Sequence, residues 1–483
     1  METPIPTSRE SRWILRAVLI LVPLFALLRL AHWNLLWADE DYHVAAAVNI
    51  LHGRVPYRDF WYDKPPLNAV FYLLIGGHAG VALRLLDAGY VLLACYLAYR
   101  LARTWWSPKE GYAAAFLLAF FTTFYLPSAV IPFAADALMI VPHLAAIYYA
   151  RQRRPVWAGL FAGVGFLFNI KALFVLAACG VFLISQLLPL LLGFALPVVA
   201  GLGWAAASGA WPGYCEQVWR WGLLYARNSP VAHPLLTGVS RTANWLGFHA
   251  ALAVATAVCL VKTDARDRIR LGAWIALSFV AVCLGTRFAP HYFLQLLPPL
   301  VIAASRGIVL AFQARRTLTS VSLGVLLLVP LIRFSPHYVT LAFNAAIHRQ
   351  PQWSDVVMDL DSQRAAAQIR DLARPGDTLF VWGYRPDLYV YTHMSSDNRF
   401  WDSQPLTGVP ADRHLSATNA IYGGPAAANR VQLARSHPTF IVDGLSLLNP
   451  RLSPQVYPEL RRWLKQYHLV SRTKLSLIYK RSE

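Results

Sequence analysis

The feature that most constrains this chain is a succession of apolar runs, each near the roughly 20 residues that a helix needs to cross a bilayer. They fall at about 13–36, 81–101, 111–130, 134–150, 156–170, 171–187, 188–209, 244–262, 271–288, 290–312 and 317–334. In hydrocarbon every backbone N–H and C=O must be satisfied within the segment, so such runs fold as helices. About eleven spans are expected, with a short run at 156–170 and a weak break between 171–187 and 188–209. Composition agrees: 57% of residues are hydrophobic and only 14% charged, against roughly 25% charged in soluble domains.

The net charge of +19 would suit a polyanion-binding protein, but the basic residues lie in short clusters between apolar runs. Arg9/Arg12/Arg16, Arg100/Arg103/Lys109, Arg151/Arg153/Arg154, Lys262/Arg266/Arg268/Arg270 and Arg306/Arg315/Arg316 fall on alternate loops. That is a positive-inside pattern, broken only near Ser185, where no basic residue occurs. Nucleic acid is excluded as the partner. The bias places 39–67, 211–243 and everything after Arg333 on the outer side. The first run reads as a retained span, since no small-residue cleavage site ends it. The five cysteines are scattered without C-x-x-C spacing, which supports neither a disulfide framework nor a zinc site.

From about 335 the composition becomes that of a soluble domain. Strand-like runs at 378–382, 440–442 and 475–479 alternate with helical stretches at 356–372 and 457–467, which predicts a small α/β domain over 335–483. The expected architecture is therefore a polytopic helical membrane domain over 1–334, followed by an outer α/β domain.

The first outer loop, 37–80, carries the densest acidic cluster of the membrane half: Asp39, Glu40, Asp41, Asp59 and Asp63, interleaved with Arg54, Arg58 and Lys64 and ending in Lys64-Pro65-Pro66. Val44, Ala47, Val48 and Leu51 repeat at helical spacing and Gly53 ends the pattern, which predicts a short helix at the membrane interface. An acidic helix N-terminus accounts for Asp39–Asp41 through capping and the helix dipole. Three acids in a row exceed what a cap needs. A carboxylate beside cations at a membrane surface is also what sugar transfer from a lipid phosphate requires: one group takes the proton of an acceptor hydroxyl and cations stabilise the departing phosphate.

The acidic pair in the first loop, the run Y-R-D-F-W-Y-D-K-P-P-L (57–67) and the late R-F-A-P-H-Y-F-L-Q-L-L-P-P-L (287–300) resemble the GT-C glycosyltransferases. They are most similar to the family-39-like branch of lipid A aminoarabinose transferases, protein O-mannosyltransferases and bacterial polyprenyl-phosphate-sugar transferases. V-W-G-Y-R-P-D-L-Y-V-Y-T (381–392) resembles the outer domain of some of these relatives. The resemblance implies an inverting glycosyltransferase of the bacterial inner membrane with its active site outside the cytoplasm. It implies Asp39 as the base with Glu40 beside it, and Lys64 near the lipid phosphate. Aminoarabinose transferases carry an arginine shortly after the acidic pair; here the residues are Asp41-Tyr42-His43, which argues against that sugar.

Further candidates are Arg58, Arg287, Lys171, His291 and Tyr292 as ligands of substrate or lipid phosphate, with Asp41, Asp63 and Asp136 in support. Each has a plainer reading. Asp136 suits a cap or a snorkelling acid at the start of 134–150, Lys171 sits at a break between apolar runs, and Asp59 and Asp63 suit pairing with Arg58 and Lys64. Nucleotide sugars are cytoplasmic, so an outward-facing transferase needs a donor already flipped across the bilayer: a polyprenyl-phosphate-linked sugar, held among membrane lipids. No nucleotide-binding loop occurs in the chain. The acceptor is a lipid, glycan or protein. No cofactor is required, although the acidic cluster could hold a divalent ion. The rival reading is a transporter or flippase of lipid-linked sugars; transporters show paired broken helices in two halves, whereas here the polar residues gather in one loop.

Overall fold

A computed structural model describes residues 20–482 apart from 315–316, 348, 350–352 and 354–355. The chain divides into two compact units. A helical unit comprises Met1–Trp33, Val81–Ala200 and His233–Pro351; a mixed unit comprises Asn34–Gly80, Gly201–Ala232 and Gln352–Glu483.

The helical unit follows the apolar runs, with breaks where local chemistry puts them. Ser107 starts Pro108–Phe121 by accepting from Lys109 N, with proline at the first helical position, where its missing N–H costs nothing. Asp264 caps Ala265–Cys283 in the same way, accepting from Asp267 N at 3.0 Å. Among the described residues three helices are long and apolar enough to cross a membrane: Val81–Trp105, Ile184–Ala207 and Leu318–Ala346. Pro234–Phe248 and Ala250–Lys262 make a fourth if that pair, bent by 88°, is one span. The other runs are shorter or interrupted. Residues 134–150 form Ala135–Leu138 and Ile140–Arg151, and 290–312 begin as the 3-10 turn Pro290–Gln295 before Leu297–Gln313. Leu188, Leu192, Leu196 and Val199 stand exposed on Leu187–Ala207, as a lipid-facing surface would. That helix packs backbone to backbone on Pro155–Phe168. A Cβ on Gly159 would lie 2.0 Å from Leu190 O, and one on Gly193 would lie 2.1 Å from Val156 O. Small residues at such crossings let membrane helices approach closely.

The spans are not uniformly apolar inside. Arg29 is buried and donates to Asp87 at 3.2 Å and to the carbonyls of Val130 and Thr122 at 2.7 Å each. The helix Thr317–Ala346 runs straight through residue 334 with Pro330 and Pro336 inside it, so the chain does not break where the composition changes. Proline removes the N–H that would bond the carbonyl four residues earlier, here those of Leu326 and Ile332, and is tolerated in a membrane helix when nearby groups satisfy them.

The mixed unit is built on a four-stranded sheet: β1 (Leu379–Trp382), β2 (Phe440–Asp443), β3 (Tyr467–Arg472) and β4 (Leu477–Arg481), in the order β1-β2-β4-β3. β1 and β2 are parallel; β4 runs antiparallel to both β2 and β3. β1 and β2 are buried along their whole length, as expected of strands covered on both faces. Phe380, Trp382, Ile441, Trp463 and Leu433 form the core. The sequence reading missed β3: the helix expected over 457–467 stops at Leu464 and Tyr467 begins the strand.

The acid-rich loop over 37–80 belongs to this unit. Its helix, Glu40–Leu51, is buried from Glu40 to Asn49 on every side, so it is not an interfacial amphipathic helix. Later segments of the chain cover it: Ser396 N donates to Asn49 Oδ1, Trp61 N to Arg399 O and Trp401 Nε1 to Trp61 O. Residues 201–232 clamp the same loop, with Gln217 bonded to Tyr57 O at 2.8 Å and accepting from Tyr62 N at 2.6 Å. Trp221, expected in a headgroup belt, is buried against Trp61 and Tyr422.

Candidate functional site

In open α/β sheets ligands bind at the carboxyl ends of the parallel strands. Here the parallel pair is β1–β2, and a cavity of about 350 Å³ lies at its carboxyl end. Tyr384 and Arg385, which follow β1, and Leu445, which follows β2, form one side; Asp39, Asp63 and Lys64 from the outer loop form another. Trp221, Tyr225 and Gln404 also line it.

Asp39 precedes the helix Glu40–Leu51 but does not cap it: its side chain makes no capping hydrogen bond. It is exposed, with no hydrogen bond or ion pair among the described contacts. Its φ of 76° lies in the left-handed region, a conformation that costs on the order of 1–3 kcal/mol and concentrates at functional sites. Glu40 and Asp41 behave differently. Glu40 is fully buried, with Oε1 accepting at 2.9 Å from Trp37 N, which lies two residues ahead of Asp39 and outside the helix. Asp41 is buried and accepts from Tyr42 N. Burial, reinforced by Asp387 and Asp39, raises its pKa well above the carboxylate range. The triplet is thus one accessible carboxylate and two buried acids.

Lys64 is held in place by its backbone. Tyr57 OH donates to Lys64 O at 2.7 Å, and the following prolines restrict the residue to extended geometry. Its ammonium lies 3.1 Å from Asp63 Oδ1, with the lysine side chain 40% exposed and the aspartate 8%. Gln404 Nε2 reaches the other oxygen of Asp63 at 3.4 Å. Arg58 is committed elsewhere, to Asp59 at 2.7 Å and to Ser208 O at 3.0 Å; Asp59 is its partner, as the sequence suggested.

Under the cavity, Tyr42 stacks between Tyr62 at 5.3 Å and Tyr384 at 5.5 Å, with Trp401 at 4.9 Å. His43 Nδ1 contacts Tyr62 OH at 2.7 Å, and burial pushes its pKa down to about 3. Asp402 is buried beside this stack, with Oδ1 accepting from Gln404 N at 2.7 Å and Oδ2 without a partner. Burial, with Asp63 adding to it, pushes its pKa up to about 7. Arg385 is spent on structure, bonded to Asp361, Ser476 and Met358 O.

The remaining candidates lie in the helical unit, where Asp136, Lys171, His291 and Tyr292 form a cluster. Asp136, in the turn Ala135–Leu138, accepts at Oδ1 from Lys171 at 3.1 Å, Asn169 at 3.0 Å and Gln295 at 2.9 Å; His291 Nε2 lies 3.9 Å from Oδ2. Lys171 Nζ sits 3.5 Å from the centre of the Tyr292 ring. Asp136 is therefore neither a cap nor a snorkelling acid, but the acceptor of a buried network. Arg287 is buried in a turn where Gly285, Thr286 and Phe288 all have positive φ, its carbonyl held by Arg241 at 2.6 Å. Among the described residues no group of three or more His, Cys, Asp or Glu side chains is gathered to hold a metal ion.

Residues 63–206 match the family described as dolichyl-phosphate-mannose-protein mannosyltransferase. No curated protein matches the sequence. Among solved structures, apo ArnT from Cupriavidus metallidurans is 15% identical with a TM-score of 0.61, covering 98% of each chain. The same protein bound to undecaprenyl phosphate gives 14% and 0.57, over 97% of this chain and 98% of that one. Archaeal oligosaccharyltransferase AglB from Archaeoglobus fulgidus, in complex with an inhibitory peptide and a dolichol-phosphate, gives 14% and 0.51, over 99% of this chain and 75% of that one. The chain has the GT-C fold.

Within the GT-C fold the family match begins at Asp63, so it takes in Lys64 but not Asp39. The sequence reading missed Tyr384, Asp402, Gln404 and Trp221. The motif at 381–392 pointed towards Tyr384. The run Phe400-Trp401-Asp402-Ser403-Gln404 carried no periodic or spacing signal, since its residues act singly, from a bend and from the first residue of the short helix Gln404–Thr407.

Proposed function

We propose that this chain is an inverting glycosyltransferase that moves a sugar from a polyprenyl-phosphate donor to an acceptor outside the cytoplasm. The observation that carries the reading is Asp39: an unpaired, exposed carboxylate in strained backbone, lining the same cavity as Lys64. The similarity to ArnT, bound to undecaprenyl phosphate, and to AglB, in complex with a dolichol-phosphate, supports a lipid-phosphate donor. Asp39 takes the proton from the acceptor hydroxyl as its oxygen attacks the anomeric carbon. The bond from that carbon to the phosphate oxygen breaks from the opposite face, which inverts the configuration. Lys64 stabilises the charge that grows on the leaving phosphate. The displacement balances without a cofactor.

The alternating basic clusters support an outward-facing site in the cytoplasmic membrane. The test combines both parts of the reading. Purified protein in liposomes is given a radiolabelled polyprenyl-phosphate sugar, and label is followed into water-soluble and lipid products. Release of polyprenyl phosphate that disappears in Asp39→Asn is expected; donor that stays intact with the unaltered protein rejects the reading. In spheroplasts, Arg58→Cys and Arg435→Cys, in a background free of the native cysteines, should react with an impermeant thiol reagent while Arg154→Cys and Arg266→Cys should not. The reverse pattern would invert the orientation and remove the lipid-donor argument.

A further inference from the structure

A second hollow of about 380 Å³ lies in the mixed unit, lined by Leu415–Asn419 and Leu448, Asn449 and Arg451. Leu415 and Leu448 also line the cavity that holds Asp39 and Lys64, so the two hollows are neighbours that share this wall. Each is near the lower end of the size of small-molecule sites, roughly 300–1,000 Å³.

The walls of the second hollow are fixed before any ligand arrives. Asn449 Nδ2 donates to His414 O at 2.8 Å and to Ala417 O at 3.4 Å, tying the two walls together. His414 is buried and contacts Val409 O at 3.0 Å and Thr407 Oγ1 at 3.3 Å. On the opposite wall, Asp443 at the end of β2 accepts from Leu445 N and Ser446 N, and Leu452 O accepts from Trp382 Nε1 at 2.9 Å. Between these anchors Ser416, Thr418 and Asn419 are exposed side chains that both donate and accept hydrogen bonds. Arg451, also exposed, is the one charged residue in the lining.

We propose that this hollow is the acceptor site, and that it holds a hydroxyl-rich saccharide bearing an anionic group; the inference rests on the transferase reading above. Hydroxyls and a carboxamide match the mixed donor and acceptor character of sugar hydroxyls. A guanidinium forms charge-assisted bonds to a carboxylate or a phosphate. An acceptor that spans the shared Leu415–Leu448 wall places one hydroxyl in the cavity of Asp39 while the rest of it stays on Arg451. The pairing of roles is economical: Lys64 faces the donor phosphate and Arg451 the acceptor anion.

The experiment uses the full chain in phosphatidylcholine nanodiscs, free of sugar-based detergent, with saturation-transfer NMR as the readout. Three probes are compared at equal concentration: methyl β-glucuronide, glucose 1-phosphate and methyl β-glucoside. At least one anionic probe should bind roughly three- to tenfold better than the neutral one, as expected for a partly exposed charged hydrogen bond. Arg451→Ala should remove that preference and Arg451→Lys retain part of it. Which anion is preferred tells a carboxylate acceptor from a phosphorylated one. No saturation transfer from any probe, or equal transfer from all three that Arg451→Ala leaves unchanged, overturns the proposal. Donor turnover in the same nanodiscs keeps the two readings apart. Turnover without saccharide binding refutes the acceptor site alone, whereas Arg451-dependent binding without turnover refutes the transferase and leaves the hollow as a saccharide site.

Discussion

Among the described residues two acid–lysine pairs are built in opposite ways. In the mixed unit, Lys64 meets Asp63 at 3.1 Å with the lysine 40% exposed, and Asp39 lines the same cavity with no partner among the described contacts. In the helical unit, Lys171 meets Asp136 at the same 3.1 Å, but both side chains are about nine-tenths buried and Asp136 also accepts from Asn169 and Gln295. Equal distances thus hide unequal chemistry. A carboxylate that accepts from a buried ammonium and two amides is held in its charged form and is a poor proton acceptor. A carboxylate in strained backbone beside an open cavity is under no such hold. On the function proposed above, the first pair is the reactive one and the second holds structure in place.

The comparison is broken most directly at Asp39. Asp39→Asn keeps the size of the side chain, and asparagine tolerates positive φ as aspartate does. Sugar transfer should fall by roughly 10²–10⁴, the usual range for loss of acid–base catalysis, with the melting temperature unchanged. Activity retained in this variant would return the cluster to a structural role.

Next in size is Lys64→Gln, which should lower turnover by about 10²–10³, the range for removing a group that stabilises developing charge. Arg58→Gln, by contrast, should leave it near the starting value, since Arg58 is tied to Asp59 and Ser208 O. Equal losses in both variants would show a general electrostatic requirement rather than a placed cation.

Asp136→Ala should act through stability. It leaves Lys171 buried without its carboxylate, and breaking a buried pair costs about 3–5 kcal/mol. The detergent-solubilised variant should melt earlier. The double variant Asp136→Asn/Lys171→Met should recover much of the loss, because it leaves no uncompensated charge. If Asp136→Ala melts normally yet loses all transfer, the division of labour between the two pairs is wrong.

The smallest effect concerns Asp402, whose pKa burial pushes up to about 7, above its unfolded value of roughly 4. The folded state therefore holds this proton more tightly than the unfolded state, and stability falls as pH rises between those values. The slope for a single group is at most about 1.4 kcal/mol per pH unit. Asp359, pushed up to about 8 by burial and by Asp387, acts in the same direction. Melting temperature should decline from pH 5 to pH 8, and Asp402→Asn should flatten that decline; an identical pH profile in the variant would remove Asp402 from the account.

The residues themselves determined a good deal. Apolar runs of bilayer length, basic clusters and the acid-rich first loop follow from composition and spacing alone, because hydrocarbon leaves the backbone few options and charge patterning is written in one dimension. Strands β1, β2 and β4 were legible from runs of β-branched and aromatic residues. So were the Asp39 cluster and the lysine before two prolines. Tertiary structure decided which of three adjacent acids is accessible. Glu40 and Asp41 are buried where Asp39 is exposed, and Asp387, hundreds of positions later in the chain, lies close enough to Asp41 to raise its pKa. It also decided that the helix Glu40–Leu51 is buried on all sides: alanine and valine on both faces carry no periodic signal that separates an interface from a core. Asp402 enters the site from a bend, Gln404 from the first residue of a four-residue helix, and Arg451 reaches its hollow from the 3-10 turn Pro450–Leu452. Short-range pattern cannot find such residues, because their roles are fixed by long-range packing.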